Sequence, residues 1–298
     1  MTQIVLLTGS RGFTGRYVRA ALEQQGFTVM GLVQSDAQAN EVAANLSDAA
    51  SVHAAVAQVM PHYVVHLAAV AYVTHANAED FYRVNVLGTL NLLDALVAAQ
   101  APVVKVLLAS SANVYGNPTV SQVAEHVPPA PVNHYAMSKL GMEHMARTYV
   151  DRLPIVITRP FNYTGIGQDG GFLIPKIVAH FKQRAAVIRL GNLDVMREFN
   201  DVRMVAQAYC GLMRHAPAGA LVNLCSGRGY LLSDVLALCA QLTGHELTVE
   251  VNPALVRANE LKVLIGDAGA LNRMLPDLPP YSLKETLQWM LGEGKLAP

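Results

Sequence analysis

The chain has 298 residues with 22 basic and 22 acidic side chains, and a formal net charge of zero does not favour binding to nucleic acid or an anionic membrane. Its hydrophobic content of 52% is enough for a large core and excludes a disordered chain. The cysteines Cys210, Cys225 and Cys239 have no C-x-x-C spacing, which argues against a disulfide framework or a zinc ribbon. We see neither a signal peptide nor a membrane-spanning run, and expect a soluble cytoplasmic protein.

The first half of the chain alternates short apolar runs with longer helical patterns. The apolar runs are 4–9, 27–33, 63–70 and 104–110, and the helical patterns are 15–26 and 85–100. The apolar runs are continuous in Val, Ile and Leu, as is typical of parallel strands covered on both faces. The alternation predicts βαβ units and an α/β fold with a doubly wound parallel sheet.

The second half is less regular, with frequent Pro and Gly after Arg159. We expect residues 1–160 to form a dinucleotide-binding domain, with a return of the chain to its sheet around 199–226. Residues 161–298 should mainly form a smaller substrate-binding domain. A cleft between the two parts is the expected binding site.

A glycine-rich loop, TGSRGFTG at 8–15, follows the first predicted strand and opens a helix. Gly9, Gly12 and Gly15 allow a tight turn and a close approach of the backbone to a pyrophosphate, which the helix N-terminus attracts. The loop therefore predicts a dinucleotide site.

The choice between NADPH and NADH depends on few residues. The second strand ends in GLVQS at 31–35, where an acidic residue would hold the ribose of NAD, and Asp36 follows slightly late. Arg11, beside Gly12, has the charge and geometry to accept a 2′-phosphate. We expect NADPH from this single residue, with NADH as the alternative.

A candidate proton donor lies in HYAMSK at 134–139. Tyr135 and Lys139 are four residues apart and share a face of a helix. A neighbouring ammonium stabilises a phenolate, so we expect Lys139 to lower the pKa of Tyr135. Ser111, at the end of a preceding strand, could hydrogen-bond the oxygen that Tyr135 protonates.

The combination of the glycine loop, Ser111 and Y-x-x-x-K resembles the extended short-chain dehydrogenase/reductase superfamily, in the NAD-dependent epimerase/dehydratase family. HLAA at 66–69, NVLGTLNLL at 85–93 and RPFNYTGIGQ at 159–168 extend the resemblance over most of the chain. It implies a Rossmann domain, a smaller C-terminal nucleotide-sugar domain and a homodimer formed through the helices at 86–99 and 135–150.

The resemblance also implies site residues. The catalytic residues would be Ser111, Tyr135 and Lys139. The cofactor contacts would be Gly9, Arg11, Gly12, Phe13, Gly15, Leu46, Leu67, Ala68, Ala69, Asn85, Tyr135 and Lys139. No cluster of His, Cys, Asp and Glu has metal-ligand spacing, and we expect no metal.

The stretch ASSANVYG at 109–116 limits the reaction. Family members that dehydrate a hexose carry an acidic residue two places after the catalytic Ser or Thr, because removal of the C5 proton needs a base. Here that residue is Asn113, and an amide cannot take the proton. Reduction of a keto sugar, or epimerisation through a transient ketone, remains.

The segments 190–203 and 252–267 resemble the group of GDP-mannose dehydratases and GDP-6-deoxy-mannose reductases. This implies substrate contacts from Ser111, Asn113, Asn162, Asn192, Arg197, Arg257 and Glu260, with Leu193 beside the guanine. Arg197 and Arg257 would hold the diphosphate, and Glu260 the guanosine ribose.

The implied reaction is the NAD(P)H-dependent reduction of the C4 ketone of GDP-4-keto-6-deoxy-D-mannose to GDP-D-rhamnose. Hydride delivery to the opposite face would give GDP-6-deoxy-D-talose instead. A nucleotide-sugar C4 epimerase and a catalytically silent NADP-binding protein are the further alternatives.

Overall fold

The computed structural model describes residues 3–71, 77–256 and 262–292. The strands are β1 (Ile4–Thr8), β2 (Thr28–Val33), β3 (Glu41–Ala43), β4 (Tyr63–His66), β5 (Lys105–Ala109), β6 (Ile155–Pro160), β7 (Tyr163–Thr164), β8 (Val187–Leu190), β9 (Met196–Arg197), β10 (Asn200–Asp201), β11 (Leu221–Leu224), β12 (Tyr230–Leu231), β13 (Thr248–Val251) and β14 (Val263–Leu264). The helices are α1 (Phe13–Gln24), α2 (Ala49–Val59), α3 (Ala78–Tyr82), α4 (Gly88–Ala98), α5 (His134–Arg147), α6 (Leu173–Lys182), α7 (Val202–His215), α8 (Leu232–Thr243), α9 (Gly269–Met274) and α10 (Leu283–Leu291).

A seven-stranded sheet, with strands in the order β11-β6-β5-β4-β1-β2-β3, forms the centre of the molecule. All six neighbouring pairs in it are parallel. The order reverses between β1 and β4, as in a Rossmann fold, so the carboxyl ends of these two strands flank the crevice where such sheets bind ligands. The predicted fold class is therefore confirmed.

Helices cover both faces of this sheet. On β1, Val5 and Leu7 pack in a core with α1 and α7, whereas Leu6 points to the opposite core with α2, α4 and α5. Both faces are apolar because side chains alternate between two buried layers. This explains why the strands show unbroken apolar runs in the sequence.

The second half contributes to the main sheet as well as to a separate core. Strand β11 pairs with β6, with Leu221 opposite Ile157, which is the return that we expected around 199–226. Helices α6, α8 and α10 enclose another apolar core, with Ile177, Val235 and Leu287 fully buried. The division into domains at residues 160 and 161 stays a prediction.

None of the described helices is long and apolar enough to cross a membrane.

Candidate active site

The glycine loop makes close backbone contacts that leave no room for side chains. A Cβ on Gly15 would lie 2.1 Å from the carbonyl oxygen of Gly9, so only glycine fits at this crossing. Gly9 has a φ of 68°, and a Cβ there would lie 2.9 Å from the amide nitrogen of Ala68. Helix α1 starts at Phe13 with Gly12 as its N-cap, and no side chain of the described residues caps it. Its first amides are thus available to an anion.

Phe13 and Thr14 connect the loop to the second half of the chain. The ring of Phe13 stacks on that of Tyr163 at a centroid distance of 6.1 Å. The hydroxyl of Thr14 lies 2.8 Å from that of Tyr163. Tyr163 was not identified from the sequence, although it lies in the RPFNYTGIGQ segment.

Arg11 reaches from the glycine loop to the segment after β2. Its Nη2 donates to the carbonyl of Asp36 at 2.6 Å and pairs with Glu41 at 2.5 Å. The structure therefore brings Arg11 to the region where a Rossmann fold binds the adenosine ribose. Glu41 was missed, because the position of a short edge strand after β2 is not evident from spacing.

The remaining predicted cofactor residues lie along the same edge. Leu67 and Ala68 contact Gly9 through their backbone, and Ala69 follows them half-buried. Leu46 is buried and contacts Gly88 at the start of α4.

A chain of buried hydrogen bonds supports this edge. Thr8 Oγ1 accepts from the amide of Ala68 at 3.0 Å and lies 2.8 Å from His66 Nδ1. His66 Nε2 lies 2.9 Å from the hydroxyl of Thr89, which donates to the carbonyl of Asn85 at 2.7 Å. Because that hydroxyl uses its proton on Asn85, Nε2 must be the protonated nitrogen and Nδ1 the acceptor. Burial lowers the pKa of His66 to about 3, so the ring is neutral.

Asn85 connects this edge to the helix that carries Tyr135. Its side chain accepts from the amide of Val70 at 2.9 Å and donates to Ser138 Oγ at 2.9 Å. Ser138 in turn donates to the carbonyl of Tyr135 at 2.8 Å. Asn85 lies in a π-helical turn, Arg83–Leu87, a local distortion that is frequent at functional sites.

The three predicted catalytic residues come together at the end of β5. Ser111 Oγ accepts from the amide of Asn113 at 3.2 Å, and a hydrogen bond between Ser111 and Tyr135 lowers the pKa of the tyrosine. Burial outweighs that effect and raises the pKa of Tyr135 to about 12. A hydroxyl with this pKa is protonated at neutral pH and can serve as a proton donor to an alkoxide.

Lys139 is buried and donates a hydrogen bond to the main chain at the end of β5. Its Nζ donates to the carbonyl of Ala109 at 2.7 Å, and burial lowers its pKa to about 8. Burial raises the pKa of Tyr135 more than its hydrogen bond with Ser111 lowers it, so the expectation that Lys139 lowers this pKa stays a prediction.

A buried ion pair joins α5 to β6. Glu143, one turn after Lys139 on α5, accepts from Arg159 Nε at 2.9 Å and Nη2 at 2.7 Å, and from the hydroxyl of Ser110. The side chains of Glu143 and Arg159 are 0% and 2% exposed. Glu143 also raises the pKa of Lys139, although less than burial lowers it. This pair was not evident from the sequence.

The predicted substrate residues are only partly described. Asn113 is half-buried beside Ser111, and Asn162 is exposed, with its carbonyl accepting from the amide of Asn200 at 2.9 Å. Arg197 is buried and donates to the carbonyl of Met196 at 2.9 Å. Asn192 is half-buried and Leu193 exposed. Arg257 and Glu260 lie outside the described residues.

Glu198 is a further residue that the sequence analysis did not select. Its buried carboxylate accepts from the amides of Ser226 at 2.7 Å and Gly266 at 2.6 Å. These bonds join β9, which carries Arg197, to the segments after β11 and β14. Among the described residues, no group of His, Cys, Asp and Glu is arranged to hold a metal ion.

Comparison with known proteins matches residues 5–225 to the NAD dependent epimerase/dehydratase family. The chain is 34% identical over 272 residues to the GDP-6-deoxy-D-talose 4-dehydrogenase of Aggregatibacter actinomycetemcomitans, covering 91% of this chain and 90% of that protein. It is 32% identical over 307 residues to the GDP-6-deoxy-D-mannose reductase of Pseudomonas aeruginosa, covering 98% and 97%.

Among solved structures, RMD from Pseudomonas aeruginosa in complex with NADPH superimposes with a TM-score of 0.85, at 30% identity and with coverage of 97% of this chain and 98% of that one. The family model covers most of the chain, and both relatives exceed 30% identity over nearly its full length. The resemblance noted in the sequence is confirmed: the chain belongs to the NAD dependent epimerase/dehydratase family of NAD(P)-dependent enzymes.

Proposed function

We propose that this protein uses a nicotinamide cofactor to reduce the C4 ketone of GDP-4-keto-6-deoxy-D-mannose to GDP-D-rhamnose. The observation that carries the proposal is the meeting of Ser111 and Tyr135 at the end of β5, with Asn113 where a dehydratase would need a carboxylate. The names of the relatives, which act on GDP-linked 6-deoxy sugars, support the substrate class.

We assign separate roles to the glycine loop, Ser111 and Tyr135. The glycine loop and the first amides of α1 bind the pyrophosphate of the cofactor, which supplies the hydride when bound. Ser111 donates a hydrogen bond to the ketone oxygen and orients it. Tyr135 gives its hydroxyl proton to the same oxygen as negative charge develops there, a contribution of roughly 10² to 10⁴ in rate.

Lys139 acts on the state that follows proton transfer. Once Tyr135 has lost its proton, the phenolate lies on the same helix face as the ammonium of Lys139, one turn away. Attraction between opposite charges then favours the phenolate. The ammonium is held by the carbonyl of Ala109, so its position does not depend on the charge of the tyrosine.

Asn113 argues against a 4,6-dehydratase. Its half-buried amide lies beside Ser111, where a base would have to remove the C5 proton. An amide has no basic site at neutral pH, so Asn113 cannot remove the C5 proton, and reduction of the C4 ketone is favoured over dehydration. Arg197, buried in the second half, is our candidate for the diphosphate, with Arg257 and Glu260 as further candidates outside the described residues.

The name of one relative supports GDP-6-deoxy-D-talose as an alternative product of the reduction. The relative with 34% identity is named for dehydrogenation of GDP-6-deoxy-D-talose at C4, and the reverse of that reaction delivers hydride to the opposite face of the ketone. The same Ser111, Tyr135 and Lys139 would serve either face. The orientation of the sugar ring alone separates the rhamno product from the talo product.

The two further alternatives differ in their cofactor behaviour. A C4 epimerase, which the family name includes, would keep NAD tightly bound through turnover. A silent binding protein would take up the cofactor without turnover. A reductase must exchange its cofactor in every cycle.

The test combines GDP-4-keto-6-deoxy-D-mannose with NADPH or NADH and follows nicotinamide oxidation, with NMR analysis of the C4 configuration. We expect GDP-D-rhamnose; the talo epimer would keep the mechanism and change the face. No oxidation of either cofactor would overturn the proposal, and protein purified with stoichiometric NAD would favour the epimerase.

Tyr135→Phe tests the proton donor and should lower turnover at least 100-fold while cofactor binding persists. Tyr281→Phe is the matched control, because Tyr281 lies against Arg203 in the second half of the chain, at 4.5 Å. An unchanged rate in Tyr135→Phe would remove this residue from the mechanism.

A further inference from the structure

Glu41 forms a two-point ion pair with Arg11 at the edge of the proposed cofactor site. Arg11 Nε and Nη2 contact the two carboxylate oxygens at 3.1 Å and 2.5 Å. The side chain of Glu41 is only 8% exposed, whereas that of Arg11 is 46% exposed. The hydrogen bonds from Arg11 and from the amide of Gln38 lower the pKa of Glu41, so it carries a full negative charge at neutral pH.

The pair lies where the 2′ position of the adenosine ribose is expected. Arg11 lies two residues after Gly9 in the glycine loop and also donates to the carbonyls of Ser35 at 3.5 Å and Asp36 at 2.6 Å, shortly after β2. In a Rossmann fold the end of the second strand determines whether a ribose hydroxyl or a 2′-phosphate is accepted. The group that distinguishes NADPH from NADH would therefore meet Arg11 and Glu41 together.

The charges at this position oppose a 2′-phosphate. A guanidinium in a two-point pair with a carboxylate presents almost no net charge, and its fork of donors is already in use. The phosphate would have to displace the carboxylate of Glu41 or lie close to it, and like charges repel. A 2′-hydroxyl meets neither obstacle and can donate a hydrogen bond to a carboxylate oxygen.

We propose that Glu41 is a specificity-determining residue that holds Arg11 away from a 2′-phosphate, so that the enzyme accepts NADH at least as well as NADPH. The inference rests on the proposed nicotinamide-dependent function. It reverses the expectation that we drew from Arg11 alone, since the sequence did not reveal its partner.

Arg19 is an alternative ion-pair partner for the carboxylate of Glu41. Its Nη2 lies 3.8 Å from Glu41 Oε1, is buried, and has no hydrogen-bond partner among the described residues. A small rotation of Glu41 would bring its carboxylate onto Arg19 and release Arg11 to the phosphate. The discrimination against NADPH should therefore be moderate, and it should become stronger in Arg19→Gln.

The test measures the binding of NADPH and of NADH to the full chain in the absence of sugar nucleotide. Nicotinamide fluorescence reports the binding. Glu41→Gln keeps the shape of the side chain and removes its charge. We expect it to tighten NADPH about tenfold while the affinity for NADH changes less than twofold. Glu250→Gln is the matched control, because Glu250 also pairs with an arginine, Arg189 at 3.0 Å, but lies on β13 in the second half. It should leave both affinities unchanged.

A double-mutant cycle separates this effect from a general rearrangement. If Glu41 acts mainly through Arg11, then Glu41→Gln should tighten NADPH much less in an Arg11→Gln background, where only the direct repulsion between carboxylate and phosphate is removed. Equal changes for the two cofactors, or no change, in Glu41→Gln would overturn the inference and leave the proposed function intact. Failure of the wild-type chain to bind either cofactor would overturn the proposed function and this inference with it.

Discussion

The hydroxyl oxygen of Thr8 lies 2.8 Å from Nδ1 of His66 and joins the carboxyl ends of two neighbouring strands in the central sheet. The same oxygen accepts from the amide of Ala68, which lies against Gly9. A neutral histidine ring therefore fixes the backbone that borders the glycine loop. Its protonation would remove the acceptor and leave a charge in the core.

This relationship predicts a loss of stability in mild acid. The pKa of His66 is about 3 in the folded chain and near 6.5 in the unfolded chain, so between these values only the unfolded state binds the proton. Stability is then complete above about pH 6.5 and falls as pH decreases towards 3, by up to about 1.4 kcal/mol per pH unit. Urea unfolding at pH 7 and pH 5 measures the slope.

The variant His66→Gln identifies the group responsible. It cannot titrate, so the dependence of stability on pH between 7 and 5 should become shallower, whereas His126→Gln, at an exposed position, should keep the wild-type slope. Equal slopes in His66→Gln and wild type would assign the acid sensitivity to other groups.

Much of this site could be expected from the sequence, and the reasons differ between residues. The glycine spacing predicts the loop because only glycine fits there: a Cβ on Gly15, for example, would lie 2.1 Å from the carbonyl oxygen of Gly9. Ser111 and Tyr135 follow from position, since a strand end and a helix face determine where they lie. Glu41, Glu143 and Arg159 could not be found, because their partners are distant in sequence and an isolated charge has no periodicity.

Gly15→Ala tests the loop itself. The new Cβ would collide with the carbonyl oxygen of Gly9, a backbone atom that cannot move without opening the turn. We expect a loss of nicotinamide binding of at least tenfold, measured by fluorescence titration, together with a lower melting temperature. Gly170→Ala is the control, because no atom of the described structure lies within 4 Å of a Cβ there. Wild-type binding by Gly15→Ala would show that the loop does not contact the cofactor closely.

The buried pair of Glu143 and Arg159 should contribute strongly to stability. Glu143→Gln removes the counter-charge of a guanidinium that is 2% exposed, and an uncompensated buried charge costs about 3–5 kcal/mol. Glu79→Gln disrupts an exposed pair with Arg83 and should cost less than about 1 kcal/mol. Chemical denaturation measures both values. Similar small losses in the two variants would mean that Arg159 finds another partner or water.

The lowered pKa of Lys139 predicts an alkaline limit to the reduction. Its ammonium loses its proton near pH 8 in the folded chain, so kcat/KM should fall above that pH if the charge supports the phenolate of Tyr135. Because Glu143 raises the pKa of Lys139, Glu143→Gln should move the fall to lower pH. The measurement is the pH profile of kcat/KM for the folded variant. An unshifted profile would show that the group that titrates is not Lys139.

Leu87 and Met137 are large apolar side chains at the starts of two adjacent helical segments, and they are 51% and 46% exposed. Exposed apolar residues grouped on neighbouring helices are typical of an interface. We propose that they lie in the homodimer contact expected for the helices at 86–99 and 135–150. Met137→Glu would bury two like charges across a symmetric interface, since each protomer supplies one.

We therefore expect Met137→Glu to be a monomer, or to dissociate at a protein concentration at least tenfold higher than wild type, in sedimentation analysis. Val104→Glu is the control, because Val104 is 49% exposed but precedes β5 at the opposite end of that strand from Ser111. It should leave the oligomeric state unchanged. A dimer of wild-type stability in Met137→Glu would place the contact elsewhere, because a pair of carboxylates cannot be accommodated in a closely packed apolar interface without a measurable loss of affinity.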